Sequence, residues 1–142
     1  MDTKIPSAIS KFLSPNDTGE NKAHQAGILI PKDEEILSFF PNLGRETKNP
    51  RTILSFEDMS GESWSFNFIY YNGKLFGGTR NEYRLTGMTK FIKSNNLKAG
   101  DKIIFHRTSG DNLLIKHQRM NNITGEGNGK LKLSNKWKVV NI

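Results

Sequence analysis

Residues 62–71, ESWSFNFIYY, carry the pattern that most constrains the fold of this chain. Aromatic side chains occupy every second position, and a pleated strand directs alternate side chains to opposite faces. We therefore expect one aromatic face that packs inward, formed by Trp64, Phe66, Phe68 and Tyr70. The pair Asn72-Gly73 follows and favours a type I′ hairpin turn, because both residues accept a positive φ. The sequence thus predicts a hairpin in which residues 74–86 return alongside the strand.

The rest of the chain is divided into short segments by glycines and by Asn-Gly and Ser-Gly pairs, which argues against long helices. Further strands are predicted at 7–13, 51–57, 102–108, 112–118 and 131–140. Two helices are expected, one beginning near Pro31 and one at about residues 88–96. Together these elements predict a mainly β fold, a small closed or open barrel capped by helices. A length of 142 residues predicts a single domain, residues 1–142.

Positive charge is unevenly distributed along the chain. Lys and Arg number 21 against 14 Asp and Glu, a net charge of +7. Residues 1–50 carry a net charge of −1, residues 51–100 carry +3 and residues 101–142 carry +5. Within 72–98, Glu82 is the single acidic residue among six basic ones. Such a local excess favours a polyanionic partner, nucleic acid before membrane, although a merely soluble basic protein fits the charge equally well.

Composition excludes several other classes. The chain has no Cys, which excludes disulfide frameworks, cysteine nucleophiles and cysteine-based metal sites. No apolar run approaches the ~20 residues that a membrane span requires. The first residues, MDTKIPSAIS, lack the basic start and apolar block of a secretion signal. We expect a soluble, cytoplasmic protein.

Two segments differ from ordinary connections. Residues 14–27 form a polar stretch longer than most loops of compact domains. Residues 76–86, FGGTRNEYRLT, concentrate side chains of the types that bind base edges, namely Thr79, Arg80, Asn81, Glu82 and Arg84. In an extended conformation Arg80, Glu82 and Arg84 point to one side, whereas Asn81 and Tyr83 point to the other. An edge strand whose charges pair across the sheet is the alternative.

Several short blocks recur in a known family. They are Asn16-Asp17-Thr18-Gly19, His24-Gln25-x-Gly27, Ile30-Pro31, Phe40-Pro41, Arg45-Glu46, Asn49-Pro50, Ile69-Tyr70-Tyr71-Asn72 and Phe76-Gly77-x-Thr79-Arg80-Asn81-Glu82-x-Arg84. Over about residues 7–90, their order and spacing resemble the N-terminal effector domain of EcoRII-type restriction endonucleases. The run from Leu97 to Asp101, with the strand that follows it, resembles the B-three domain of auxin-response-type plant transcription factors, which shares the fold.

This resemblance implies a seven-stranded open pseudobarrel with two short helices capping its ends. It also implies that two arms, residues 14–28 and 74–87, grip duplex DNA in the major groove like a wrench. By the same resemblance, Arg80, Glu82 and Arg84 contact bases, His24 contacts a base edge or a phosphate, and residues 16–18 shape the first arm or contact its half-site. With the neighbouring polar and basic residues, the predicted DNA-binding set is Asn16, Asp17, Thr18, Lys22, His24, Gln25, Lys74, Thr79, Arg80, Asn81, Glu82, Tyr83, Arg84, Lys90 and Lys93.

The sequence departs from the family pattern at three positions. Gly78 and Tyr83 stand where the relative has lysine, and Leu29 stands where it has tyrosine. A target similar to CC(A/T)GG is therefore an expectation that rests on the resemblance alone.

A catalytic centre is not predicted in this chain. Glu20-Asn21-Lys22 matches the ExK half of a common metal-dependent nuclease motif, but the upstream Asp is missing except for Asp2. The histidines, His24, His106 and His117, lack the spacing of a metal site. We expect a non-enzymatic domain without a cofactor of its own, with Mg²⁺ needed only by a linked nuclease domain.

The predicted partners are double-stranded DNA and a nuclease domain on the same or a longer chain. The domain itself is expected to be monomeric, to avoid membranes and to act in the bacterial cytoplasm. Two alternatives stay open. One is a stand-alone or plant-type transcription-factor domain, and the other is a small RNA-binding barrel in which the aromatic row beginning at Trp64 is exposed and stacks on bases.

Overall fold

The computed structural model describes residues 6–19, 27–108, 110, 112–120 and 137–140. These residues contain eight strands: β1 (Ala8–Phe12), β2 (Ile28–Ile30), β3 (Arg51–Glu57), β4 (Ser63–Tyr71), β5 (Glu82–Thr86), β6 (Lys102–Arg107), β7 (Leu113–Gln118) and β8 (Trp137–Val139). Three short helices accompany them: α1 (Pro15–Thr18), α2 (Glu34–Leu37) and α3 (Thr89–Ser94). A 3-10 turn spans Gly73–Phe76. Across the described ranges, no helix is long and apolar enough to cross a membrane.

All eight strands belong to one sheet, in the order β2-β5-β4-β3-β7-β6-β1-β8. The β3–β7 pair is parallel and joins Glu57 to Leu114, whereas the other neighbours pair antiparallel. The indole Nε1 of Trp137, on edge strand β8, donates a hydrogen bond of 3.1 Å to the carbonyl of Leu29, on edge strand β2. This contact brings the two edges together, so the sheet curls into a pseudobarrel and the predicted fold class is confirmed.

The inner face of β4 supplies the centre of the core, as the alternation predicted. Phe66, Phe68 and Tyr70 are buried, and Trp64 is half-buried. At the start of β4, the Phe91 ring of α3 meets the Trp64 ring edge-on at a centroid distance of 5.2 Å. Further along β4, Phe40, which follows α2, stacks on Phe68 at 4.7 Å. The two predicted helices therefore cover the barrel at different points along this strand.

The predicted type I′ turn at Asn72-Gly73 is wrong. Asn72 has φ −106° and ψ 31°, and it leads into the 3-10 turn. Its fully buried side chain accepts a 2.7 Å hydrogen bond from the Asn49 amide and donates one of 2.9 Å to the Thr47 carbonyl. A tertiary contact thus overrides the local turn preference, and the returning strand begins at Glu82 instead of residue 74.

Other elements differ from prediction for local reasons. Seven strands were predicted and eight are observed. The additional strand, β2, has only three residues, Ile28–Ile30, which is too short for an alternation to be recognised. Helix α1 lies within the stretch 14–27 that was interpreted as a loop. Of the predicted strand 131–140, β8 is observed, while 131–136 lie outside the described residues.

Candidate nucleic-acid interface

The second arm, residues 74–87, is a folded loop that ends in strand β5. The Lys74 amide donates to the Arg80 carbonyl at 2.8 Å, and the Gly78 amide donates to the Gly73 carbonyl at 2.8 Å. Gly77 ends the 3-10 turn with φ 87°, a left-handed conformation that favours glycine. These backbone hydrogen bonds join the two ends of the loop, and the chain then continues into β5.

A row of alternating charges begins just before β5, at Arg80, and continues along one face of the strand. One oxygen of Glu82, Oε2, accepts hydrogen bonds from Arg80 Nη2 at 2.7 Å and from Arg84 Nε at 2.8 Å. Both hydrogen bonds lower the pKa of Glu82, and the bond from Arg84 has the larger effect. Strand β5 lies between β2 and β4, so it is not an edge strand, and these charges pair along the strand. We call Arg80, Glu82 and Arg84 the charged row.

The opposite face of this segment braces the arm, as the period of two predicted. The hydroxyl of Tyr70 donates a 2.9 Å hydrogen bond to Asn81 Oδ1. The ring of Tyr83 stacks on that of Tyr70 with centroids 4.2 Å apart and an interplanar angle of 6°. Burial raises the pKa of Tyr83. Two members of the predicted DNA-binding set, Asn81 and Tyr83, therefore lie against the inner layer of aromatic side chains.

Arg84 also connects the two arms. Its Nη1 donates a 3.0 Å hydrogen bond to the carbonyl of Gly27, in the first arm, residues 14–28. Gly27 has φ +85°, and a Cβ at this position would lie 2.2 Å from the Leu85 carbonyl oxygen. The first arm thus returns to the sheet directly against the backbone of β5, at a position that only glycine fits.

The start of the first arm is fixed by a buried ion pair. Asp17 and Ser14 form a capping box at the beginning of α1. Asp17 Oδ2 also accepts from Lys11 Nζ at 2.6 Å, and each of these two side chains is only 8% exposed. Asp17 therefore shapes the arm, one of the two roles considered for it. Its neighbour Asn16 is exposed, and Thr18 is half-buried with its hydroxyl donating to the Pro15 carbonyl.

The remaining members of the predicted set are divided among three locations. Lys74 and Thr79 are exposed on the second arm, near the Tyr71 end of β4. Lys90 and Lys93 are exposed on α3, which follows β5 at its other end and packs on Trp64. These two lysines thus follow the end of β5 opposite to the one that Lys74 and Thr79 precede. Three more predicted residues lie outside the described part of the chain: Lys22, His24 and Gln25.

Sequence reasoning missed a cluster of cations behind the second arm. Lys32, Arg45 and Lys74 line a groove of about 510 Å³ together with Asn81 and Tyr83. No carboxylate is among the described residues that line it. The three cations are far apart in the sequence, so local charge patterning could not have grouped them. Arg45 belonged to one of the blocks shared with the known family, but it had received no role.

A metal or catalytic histidine site does not emerge from the described ranges. No group of three or more His, Asp or Glu side chains in them could hold a metal ion. His106 is half-buried in β6, and burial there lowers its pKa. His117 is exposed, with its ring against Phe91. The ExK segment at Glu20 lies outside the described residues.

This architecture is the B3-type pseudobarrel. It aligns with the structure described as "Arabidopsis FUS3-DNA complex" at a TM-score of 0.59 and 20% identity, covering 78% of this chain and 94% of that one. It also aligns with the B3 domain of the UbaLAI restriction endonuclease, solved with cognate DNA, at a TM-score of 0.50 and 23% identity, covering 78% of this chain and 64% of that one. At these identities the likeness establishes the fold.

The sequence defines the family more closely. The family model "Restriction endonuclease EcoRII, N-terminal" matches residues 4–112, and the chain belongs to this family. The resemblance inferred from the short blocks is thereby confirmed. Relatives include two Arabidopsis thaliana proteins, the B3 domain-containing transcription factor NGA1, 33% identical over 102 residues, and the AP2/ERF and B3 domain-containing transcription factor RAV1, 32% identical over 101 residues. These matches cover 71% and 70% of this chain but only 29% and 26% of the relatives.

Proposed function

We propose that this chain binds double-stranded DNA and recognises a short sequence through the major groove. The observation that carries the proposal is the charged row, which a B3-type sheet presents on one face of β5, beside the return point of the first arm. Guanidinium and carboxylate groups in such a row match the acceptors of guanine and the amino group of cytosine. Two structural neighbours are described as solved with DNA, which supports the same function here.

The members of the charged row have different roles in this proposal. The Arg80 side chain lies over the Tyr71 ring at 4.0 Å and donates to Glu82 through Nη2, but it is 51% exposed, and we assign to it the forked contact with a guanine. Arg84 is only 15% exposed and already donates to Glu82 and Gly27. It therefore positions Glu82 and joins the arms. Glu82, 29% exposed, accepts from a cytosine amino group.

Phosphate contacts come from two groups of cations in this proposal. One group lies behind the second arm and contacts the phosphates of one DNA strand: Lys32, Arg45 and Lys74. The other group, Lys90 and Lys93 of α3, contacts the DNA backbone near the first arm. Such contacts fix the register of a protein on duplex DNA without reading sequence. The residues of the first arm outside the described ranges, His24 among them, complete the set.

We further propose that this domain is part of a longer protein, a restriction endonuclease of the bacterial cytoplasm, and acts as its target-recognition effector domain. The family to which the chain belongs supports this role. Binding of one site, a CC(A/T)GG-like sequence, then controls cleavage at another site by a linked nuclease domain, which is an allosteric use of specific binding. The domain itself is monomeric, performs no cleavage and needs no cofactor, while the linked nuclease uses Mg²⁺.

A transcription-factor DNA-binding domain is the second candidate, favoured by the B3 factors among the relatives. Cleavage of a two-site plasmid by the full-length protein separates the candidates, since only an effector domain accompanies a nuclease. The RNA-binding alternative has lost its supporting observation, because Phe66, Phe68 and Tyr70 are buried and cannot stack on bases.

We expect duplex binding to weaken steeply as salt rises, because several phosphates must exchange their counterions for lysine and arginine side chains. With ~4 to 7 phosphate contacts, log affinity should fall against log salt with a slope of about −4 to −6. Titration of a duplex selected from a random pool, at several salt concentrations, measures this slope. A flat response would exclude the cationic contacts proposed here.

A further inference from the structure

A second groove lies at the barrel end covered by α2. It has a volume of about 790 Å³, within the range of small-molecule sites. Phe39 and Phe40 line it from the buried core, and five further apolar side chains of its lining are only partly buried: Leu37, Leu43, Leu54, Tyr83 and Leu113. Of the eight partly buried apolar side chains that border the described core, five belong to this groove. The partly buried apolar side chains that border the described core are therefore concentrated at this groove.

The charged residues that line this groove are two cations and one carboxylate. Arg107 and Lys32 contribute positive charge, and the single carboxylate among the described lining residues belongs to Glu34, which is exposed to solvent. The Arg107 guanidinium lies over the Phe39 ring at 4.9 Å, and its Nη2 donates to the Phe39 carbonyl. The groove thus combines an apolar wall with a fixed guanidinium.

Arg107 has a hydrogen-bond donor that the protein does not satisfy. Its Nε is the one buried side-chain nitrogen or oxygen, among the described residues, that has no hydrogen-bond partner. A buried donor without an acceptor is costly, and structures rarely retain one. A carboxylate can supply two acceptor oxygens to one guanidinium.

We propose that this groove binds a small amphipathic carboxylate, with its apolar body against the leucines and its carboxylate at Arg107. Lys32 adds positive charge at the side that the groove shares with the cation cluster of the second arm. Tyr83 lines the groove and lies between Glu82 and Arg84 in β5. The ligand therefore contacts the strand that carries the charged row, although its binding does not depend on the proposed DNA function.

Calorimetric titration with decanoate below its micelle-forming concentration, with decanol as the neutral counterpart, tests this proposal without DNA. We expect saturable binding of one decanoate per chain. Decanol should bind at least about tenfold more weakly, because only the carboxylate bonds to the guanidinium. Equal affinity for the two compounds would indicate a merely apolar groove suited to a protein segment, and it would overturn the proposal. Absence of decanoate binding would also overturn it.

Variants then locate the site. Arg107→Met should weaken decanoate binding about tenfold and leave decanol binding unchanged. Leu43→Trp, at a half-buried position outside the sheet, should fill the groove and weaken both, so the test survives if Arg107→Met fails to fold. Lys138→Met removes one charge from an exposed position of β8, outside the groove, and should change neither affinity. An equal loss of decanoate binding in Arg107→Met and Lys138→Met would contradict a specific guanidinium contact.

Discussion

Asp17→Asn is expected to destabilise the protein by about 3–5 kcal/mol, because it removes the negative charge that lies 2.6 Å from the buried Lys11 ammonium. The two side chains are 2.6 Å apart, and each is 8% exposed, so water cannot replace the lost carboxylate. The asparagine side chain still offers an oxygen to the Ser14 amide, which limits the loss at the helix cap. Denaturant unfolding followed by tryptophan fluorescence measures the change in the free energy of unfolding.

The matched control is Asp33→Asn, at the N-cap of α2. The Asp33 side chain accepts from the Glu35 amide at 2.9 Å, but the residue is exposed and has no buried cation beside it. Its loss should be about 1 kcal/mol or less. Adding Lys11→Met to Asp17→Asn should recover part of the stability, since the buried positive charge is then removed together with the carboxylate that faced it. Equal losses for the two asparagine variants would refute the argument from burial.

Gly27→Ala is expected to have an effect of similar size, more than ~3 kcal/mol, since the added Cβ meets backbone atoms that cannot move aside individually. The Leu85 carbonyl oxygen would lie 2.2 Å from this Cβ, and the left-handed φ of +85° adds strain. The first arm must move away from β5, which also separates the Gly27 carbonyl from Arg84. We expect both the free energy of unfolding and the affinity for duplex DNA to fall.

Gly19→Ala isolates the contribution of the clash. Gly19 lies in the same arm with φ +84°, but nothing is within 4 Å of the position of its Cβ. The alanine there experiences only the left-handed strain of about 1–2 kcal/mol. Thermal unfolding of both variants supplies the comparison. If Gly27→Ala cost no more than Gly19→Ala, the close approach of the arm to β5 would not exist in solution.

The parts of the fold that the sequence predicts are those in which neighbouring residues determine the outcome. The aromatic alternation along β4 places its inner face correctly because a strand buried on one side requires a period of two. The same period correctly separates the charged row from Asn81 and Tyr83. The prediction of a hairpin turn was wrong because the Asn72 side chain forms hydrogen bonds with Asn49 and Thr47. These residues are distant in the sequence, so local patterns could not predict the contact.

The candidate site was predictable to a similar extent. The composition of residues 76–86 identified the charged row, but the cluster of Lys32, Arg45 and Lys74 depends on how distant segments pack. The buried pair of Lys11 with Asp17 likewise joins a strand residue to a helix cap and has no signature in spacing. Gly27 belonged to a recognised block, but its close approach to the backbone of β5 depends on how the first arm packs, and the sequence does not indicate this.

The affinities of the wild-type protein and of Arg80→Ala, for a selected duplex and for a scrambled one, test the central claim most directly. Arg80→Ala should lose about 1–3 kcal/mol on the selected duplex and much less on the scrambled one, because the forked contact to guanine exists only at the selected site. Lys90→Ala, the control, should lose equally on both and reduce the salt slope by about one unit. Equal losses on both duplexes for Arg80→Ala would show that the charged row does not read bases, and the proposed recognition would be contradicted.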